Sequence, residues 1–363
     1  MKNVLFVTWD GPQTSYLESL FLPIFSELKI LGYQFHVLQF TWADDKKIKQ
    51  QQQACQDLGI SYQNVNVWRK PSVAIGSLAT SFKGVKYVKK AIKELGIDIV
   101  MPRSTQPALA TLLALKSFPD VNMIFDADGL PLDERVDFAN QCPSSFVQRF
   151  LRDVERQAVI KSKHVITRSQ AASNILHARA GAGSLITNFS VVTNGRDENL
   201  FRIFGEHENT TLRDELGIKA NEPMLVYAGS LGEQYCIDEM LVLFTNIKNK
   251  YKTAKLVVLT GSPEKLSEKL NLYPELKANV ICKTVLPNDV PKYLSAADLG
   301  LALRRPSFSM QAVAPIKLSE YLLCGLPTIA TEGIGDTGII TSHNGFLVSN
   351  MDDKDLSNAC SWF

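Results

Sequence analysis

Lys317 and Glu320 stand three residues apart in the run Pro315-Ile316-Lys317-Leu318-Ser319-Glu320-Tyr321-Leu322-Leu323-Cys324-Gly325-Leu326-Pro327. That spacing puts an ammonium and a carboxylate on one face of a helical turn. Gly325 is a natural stop for such a helix. The unpaired N–H groups at its start add a place for anions. A nucleotide diphosphate sugar asks for this combination: positive groups for the diphosphate, and a carboxylate to accept from ribose hydroxyls. Taken alone, the segment is equally well an ordinary helix with an exposed i, i+3 ion pair.

Other residues could share that chemistry. The loop Gly229-Ser230-Leu231-Gly232 follows an apolar run and precedes a helix expected from about Asp238. Its glycines would let backbone N–H groups approach a phosphate. Arg304 and Arg305 end the run 299–303. They are either a solvated basic pair or phosphate ligands contributing about 1.5–3 kcal/mol each. Asp10, in Thr8-Trp9-Asp10-Gly11-Pro12, is either a polar contact for a second substrate or part of an Asp-Gly turn. Asp126 and Asp128, followed by Asp133-Glu134-Arg135, could hold a divalent cation, orient hydroxyls, or form a turn and a solvated helix start. Arg168 ends another run and could face an anion. The five histidines show no metal spacing and no pairing with a nucleophile. Gly333-Ile334-Gly335-Asp336-Thr337-Gly338 matches a dinucleotide fingerprint, but too little chain follows for the βαβ unit with an acidic residue about 20 positions on.

These residues need a scaffold, and short apolar runs alternating with helical-period segments provide one. The expected strands are 3–8, 34–40, 98–102, 122–127, 164–168 and 190–194, then 224–228, 255–260, 279–283, 299–303, 327–331 and 346–348. A long helix over about 15–31 should follow the first strand and stop at Gly32. The pattern predicts an α/β chain of two doubly wound, Rossmann-like domains with parallel sheets covered on both faces. The polar stretch 205–211 reads as the linker, giving domains 1–204 and 205–363. The 363 residues suffice for both; 45% apolar and 21% charged describe a globular protein with a core. A net charge of +2 gives no reason to expect nucleic acid as a partner. Six scattered cysteines fit reduced thiols and a cytoplasmic location better than disulfides or a zinc site. Neither a signal peptide nor a membrane span is legible. Basic helices over 82–95 (Lys83, Lys86, Lys89, Lys90, Lys93) and 146–160 (Arg149, Arg152, Arg156) are either solvated cover helices or peripheral contacts for anionic lipid.

The run from Pro315 to Pro327 resembles the nucleotide-binding signature of the family 4 glycosyltransferases (glycosyl transferases group 1). Further pieces fall in that family's order: Val192-Thr193-Asn194-Gly195 with Phe201, Tyr227-Ala228-Gly229-Ser230-Leu231-Gly232, Ala296-Ala297-Asp298-Leu299 and Asn344-Gly345-Phe346-Leu347-Val348. The resemblance implies a GT-B fold with the ligand cleft between its domains. It implies Glu320 as the ribose-binding glutamate and Lys317 on the donor phosphates, with Gly229, Ser230, Gly232 and Arg304 beside them. Asp10 would face the acceptor from the first domain. It further implies a retaining transfer from a nucleotide diphosphate sugar, as donor substrate and without a cofactor or metal, to a glycan or lipid-linked glycan in surface polysaccharide or lipopolysaccharide biosynthesis. The place of work would be the cytoplasm or the inner face of the cytoplasmic membrane. Three departures accompany the resemblance. Ala312 stands where the commoner pattern has a second glutamate, with Gln311 or a backbone N–H as its replacement. The segment Glu233-Gln234-Tyr235-Cys236 lacks the family's basic residue. The chain stops at Phe363, one helix after the Asn-Gly-Phe-Leu-Val strand. Two competitors follow: a GT-B nucleotide-sugar epimerase, which needs no acceptor, and a degenerate relative that binds nucleotide without turnover.

Overall fold

The apolar runs pair in parallel into two sheets. The computed structural model describes residues 1–12, 14–341 and 343–363, with the backbone alone at 339 and 340. It contains two compact units, Met1–Thr193 and Asn194–Phe363. The first holds β1 (Lys2–Asp10), β2 (Tyr33–Thr41), β3 (Ser61–Asn66), β4 (Ile99–Pro102), β5 (Asn122–Asp126), β6 (His164–Thr167) and β7 (Phe189–Val191), in spatial order β3-β2-β1-β4-β5-β6-β7. The second holds β8 (Met224–Ala228), β9 (Lys255–Leu259), β10 (Val280–Lys283), β11 (Leu299–Ala302), β12 (Thr328–Thr331) and β13 (Gly345–Val348), in order β10-β9-β8-β11-β12-β13. Each sheet reverses its winding once, between β1 and β4 and between β8 and β11. Doubly wound sheets bind ligands at that switch, outside the carboxyl ends of the strands.

Alternation of side chains explains the unbroken apolar runs. Leu5 and Val7 pack with Leu38 and Phe40 on one face of the first sheet, while Val4 and Phe6 pack with Phe35 and Val37 on the other. In the second, Leu225 and Tyr227 join one core, and Met224, Val226 and Ala228 the opposite one. With helices on both faces, the central strands are buried on both sides. Each fully buried large side chain contributes about 1.5–3 kcal/mol.

Four features differ from the sequence expectations. Edge strand β3 (Ser-Tyr-Gln-Asn-Val-Asn) was not expected, because only Val65 in it is buried. It is drawn into the sheet by pairing with β2 rather than by an apolar pattern. The single helix expected over 15–31 is a π-helical turn, Leu17–Phe21, followed by an α-helix, Leu22–Ile30. Pro23 supplies the reason, since it has no N–H for the regular ladder. The stretch 205–211 is no linker: it enters the helix Glu206–Glu215, whose start is closed by the Gly205 N–H donating to Glu208 Oε2 at 3.1 Å. Residues 194–204 pack in the second unit, where Phe201 lies in a core with Met224 and Val226.

Candidate functional site

Helix Ile316–Leu323 begins after Pro315 and presents Lys317 and Glu320 one turn apart. Tyr321, next on the same helix, is fully buried, and its hydroxyl accepts from the Ala228 N–H at 2.9 Å. That bond fixes the helix to the carboxyl end of β8, where Gly229 begins its loop. Gly229 has φ +141°. A Cβ there would stand 2.6 Å from Lys317 Nζ and overlap Cε. The glycine is therefore required because the lysine lies across its Cα. Its own N–H is spent on the Leu259 carbonyl at 2.8 Å, so this N–H does not serve a phosphate as the sequence reading supposed.

Lys317 Nζ donates to Tyr227 Oη at 2.7 Å, and Tyr227 Oη donates to the Ser230 carbonyl at 2.5 Å. The ammonium lies 4.1 Å from the Tyr227 ring centre and 3.9 Å from that of Tyr235. Two ring faces favour the cation, but burial and then the neighbouring Arg304 charge disfavour it more, and Lys317 is brought down to about 7 despite Glu320. The Arg304 guanidinium lies 5.4 Å from the Tyr235 ring centre. Its N–H donates to Thr331 Oγ1 at 2.9 Å, and its buried Nε has no hydrogen-bond partner among the described residues. Arg305 turns elsewhere, to Glu239 at 3.6 Å. The structure thus separates two arginines between which the sequence only marginally preferred Arg304.

Glu320 has a partner no sequence reading anticipated. Arg196 Nε donates to Glu320 Oε1 at 2.8 Å, with the two side chains 16% and 12% exposed. Burial pushes the Glu320 carboxyl up, while Arg196 and then Lys317 oppose that rise. Asn194 donates to the Ala314 carbonyl at 3.0 Å, which ties the segment carrying Arg196 to the start of the helix. Ala312 is fully buried in the turn Ser309–Ala312, and Gln311 donates to the Phe308 carbonyl at 3.2 Å. Gly335 packs so tightly on this turn that a Cβ would overlap the Val313 carbonyl. The fingerprint-like glycine run therefore serves close packing, and the following helix, Thr337–Thr341, is a single short turn.

At the carboxyl edge of the first sheet the acidic and basic residues are consumed by one another. Arg168 grips Asp126 with bonds of 2.8 and 2.7 Å and donates to the Val192 carbonyl at 3.1 Å. Arg103, which the sequence reading passed over, lies 3.5 Å from Asp126 and 2.5 Å from Asp128. Asp128, left-handed at φ +52° and one-third exposed, is raised to about 6 by burial despite Arg103. Asp133 is taken by Arg152 and Arg179, both at 2.9 Å. Arg168 is therefore not presented to an anion, and the acidic run disperses into separate ion pairs. Among the described residues no group of three or more metal-type side chains gathers. Asp10 ends β1, buried, with Oδ2 accepting from Thr8 Oγ1 at 2.8 Å and Gln39 Nε2 at 3.0 Å. It does not join Lys317 and Glu320 within one unit.

Two parallel doubly wound sheets of this order define the GT-B class, and solved structures agree. The chain is similar to HepE from Anabaena in complex with UDP-glucose, at 18% identity and TM-score 0.68, over 100% of this chain and 89% of that one. A glycosyltransferase from Rickettsia africae matches at 16% identity and TM-score 0.73, over 99% and 87%. WaaG, a glycosyltransferase involved in lipopolysaccharide biosynthesis, matches at 16% and 0.68, over 98% and 89%. These likenesses establish the fold. Residues 208–363 match the model of the glycosyl transferases group 1 family. No curated protein matches the sequence.

Proposed function

We propose that the protein transfers a sugar from a nucleotide diphosphate sugar to a hydroxyl of a glycan or lipid-linked glycan. The observation that carries this reading is the meeting of Lys317, Arg304 and Glu320 at the carboxyl ends of β8 and β11, against a glycine loop. Lys317 and Arg304 would neutralise the diphosphate and Glu320 would accept from the ribose. Positive groups at this point stabilise the charge that grows on the leaving diphosphate as the bond from the sugar C1 breaks. The acceptor hydroxyl then bonds to C1 and passes its proton to a diphosphate oxygen. No protein nucleophile enters, in keeping with retention of configuration as the family resemblance implies. Asp10, oriented by Thr8 and Gln39, is our candidate for an acceptor hydroxyl. Surface polysaccharide assembly is the reading supported by resemblance to WaaG.

A thermal-shift panel of UDP, GDP, ADP and CMP on wild type and Glu320→Ala tests the donor site. A nucleotide at about 100 times its dissociation constant stabilises the fold by roughly 2.7 kcal/mol. A shift with one diphosphate, lost in the variant, is expected; no shift with any of them overturns the reading. Conversion of a nucleotide sugar with no acceptor present would mark an epimerase instead, and binding with no turnover the degenerate relative.

We also propose that the first unit works at an anionic membrane surface. Helix Val73–Leu95 exposes Ile75, Phe82, Lys86, Lys90 and Lys93 along one face, its opposite face being buried. Each lysine near such a surface contributes about 1 kcal/mol. No helix among the described residues is long and apolar enough to cross a membrane. Co-sedimentation with phosphatidylglycerol vesicles, lost on replacing the three lysines by glutamate, is expected; equal binding to neutral vesicles would sink the idea.

A further inference from the structure

The pairing of Arg196 with Glu320 is not explained by the transfer chemistry itself. Arg196 lies 124 positions before its partner, in an irregular segment ahead of the second sheet. That segment is seated by Asn194 on the Ala314 carbonyl and by Phe201 in the core, whose ring centre is 5.7 Å from the Arg196 guanidinium. Only Oε1 of Glu320 is engaged at 2.8 Å, and among the described residues Oε2 takes no hydrogen bond. A carboxylate so held has one oxygen fixed and the other turned to what arrives.

We propose that Arg196 is the positioning residue of the ribose site: it anchors Oε1 of Glu320 so that Oε2 is aimed at a ribose hydroxyl. The inference rests on reading Glu320 as the ribose-binding group. An ionised carboxylate accepts strongly from a hydroxyl, whereas a protonated one offers a donor in the wrong place. Burial alone drives Glu320 toward the protonated form, and Arg196 is the leading influence against it. The plainer alternative is that the pair merely staples residues 194–204 to the second unit. The two differ in one respect: a staple weakens every ligand alike, while a positioning residue acts only through the ribose hydroxyls.

The test uses calorimetry on the full chain with whichever of UDP, GDP or ADP the thermal panel selects, together with its 2′-deoxy and 3′-deoxy analogues. Wild type, Arg196→Met, Arg196→Lys and Glu320→Gln are compared, each first shown to be folded by circular dichroism. A hydrogen bond to a charged group predicts that wild type prefers the ribonucleotide over one deoxy analogue by about tenfold or more. Arg196→Met should bind the ribonucleotide about tenfold more weakly and bind the deoxy analogue as wild type does, so that the preference disappears. Arg196→Lys should recover most of it. A preference unchanged in Arg196→Met, or equal losses for ribo and deoxy ligands, would overturn the proposal and leave a staple. Absence of any nucleotide binding by wild type would instead overturn the donor-site reading on which it stands.

Discussion

The carboxyl edges of the two sheets carry similar residue types and use them oppositely. At the first sheet, Arg103 and Arg168 are matched against Asp126 and Asp128 within a few ångströms. At the second, Lys317 and Arg304 face aromatic rings and each other, with Glu320 held by Arg196 on one side. A site that neutralises itself is structural, since a ligand would have to break ion pairs to enter. A site with an excess of positive groups, unmatched by acids, is stabilised by an anion's arrival. Burial first, and then the neighbouring Arg304 charge, lowers Lys317 to about 7. The lesson is that charge count along the chain does not locate binding; the state of pairing does.

Breaking the closed network should give the largest effect. Asp126→Ala strands two buried arginines and is expected to cost about 3–5 kcal/mol of stability in urea unfolding; a loss under about 1 kcal/mol would mean the first edge is not structural. At the open edge the cost should fall on chemistry. Lys317→Ala or Glu320→Ala should lower turnover about 10²-fold or more while the fold persists, and wild-type kinetics for both would remove the site assignment. Gly229→Ala forces a side chain into the left-handed half of conformational space and displaces Lys317. We expect a cost of about 1–3 kcal/mol in stability with weaker nucleotide binding. Unchanged affinity would show that the lysine's resting place is irrelevant to the ligand.

The smallest and most diagnostic effect is in pH. Lys317 is held at about 7, and a bound diphosphate favours its ammonium form. Binding above pH 7 must then take up a proton, so affinity falls as pH rises, by at most about tenfold per unit. Tyr227, Tyr235, Arg304 and Glu320 are the groups facing it, and Lys317→Met should flatten the slope. The same depression makes burial of the ammonium a cost to folding below pH 7 that is relieved as pH rises. Lys317→Met should therefore raise the melting temperature more at pH 6 than at pH 9. A constant difference across that range would contradict the lowered lysine.

Most strands were legible because a parallel sheet covered on both faces needs runs of consecutive apolar residues, and such runs are conspicuous in the second unit, from Met224 to Ala228 and from Lys255 to Leu259. Strand β3 was not, because an edge strand with one buried residue leaves almost no pattern. The residues 205–211 were misread because their polarity, the mark of a loop, is also the mark of a helix with one face in water. That Lys317 and Glu320 share one turn was legible from their spacing, since a helical turn imposes it, but spacing alone left them equally well an ordinary ion pair.

What the sequence determined by itself is local: the periodicity of strands and helices, and the helix-borne pair whose members are three residues apart. Which charges remained open was decided only in three dimensions. Arg168 looks no different from Arg304 in the sequence, yet one is consumed by Asp126 and the other lies over Tyr235. Arg196 carries no mark at all until the chain returns 124 residues later to place Glu320 against it. Pairing between distant residues depends on strand order and helix seating, and no short-range spacing encodes it.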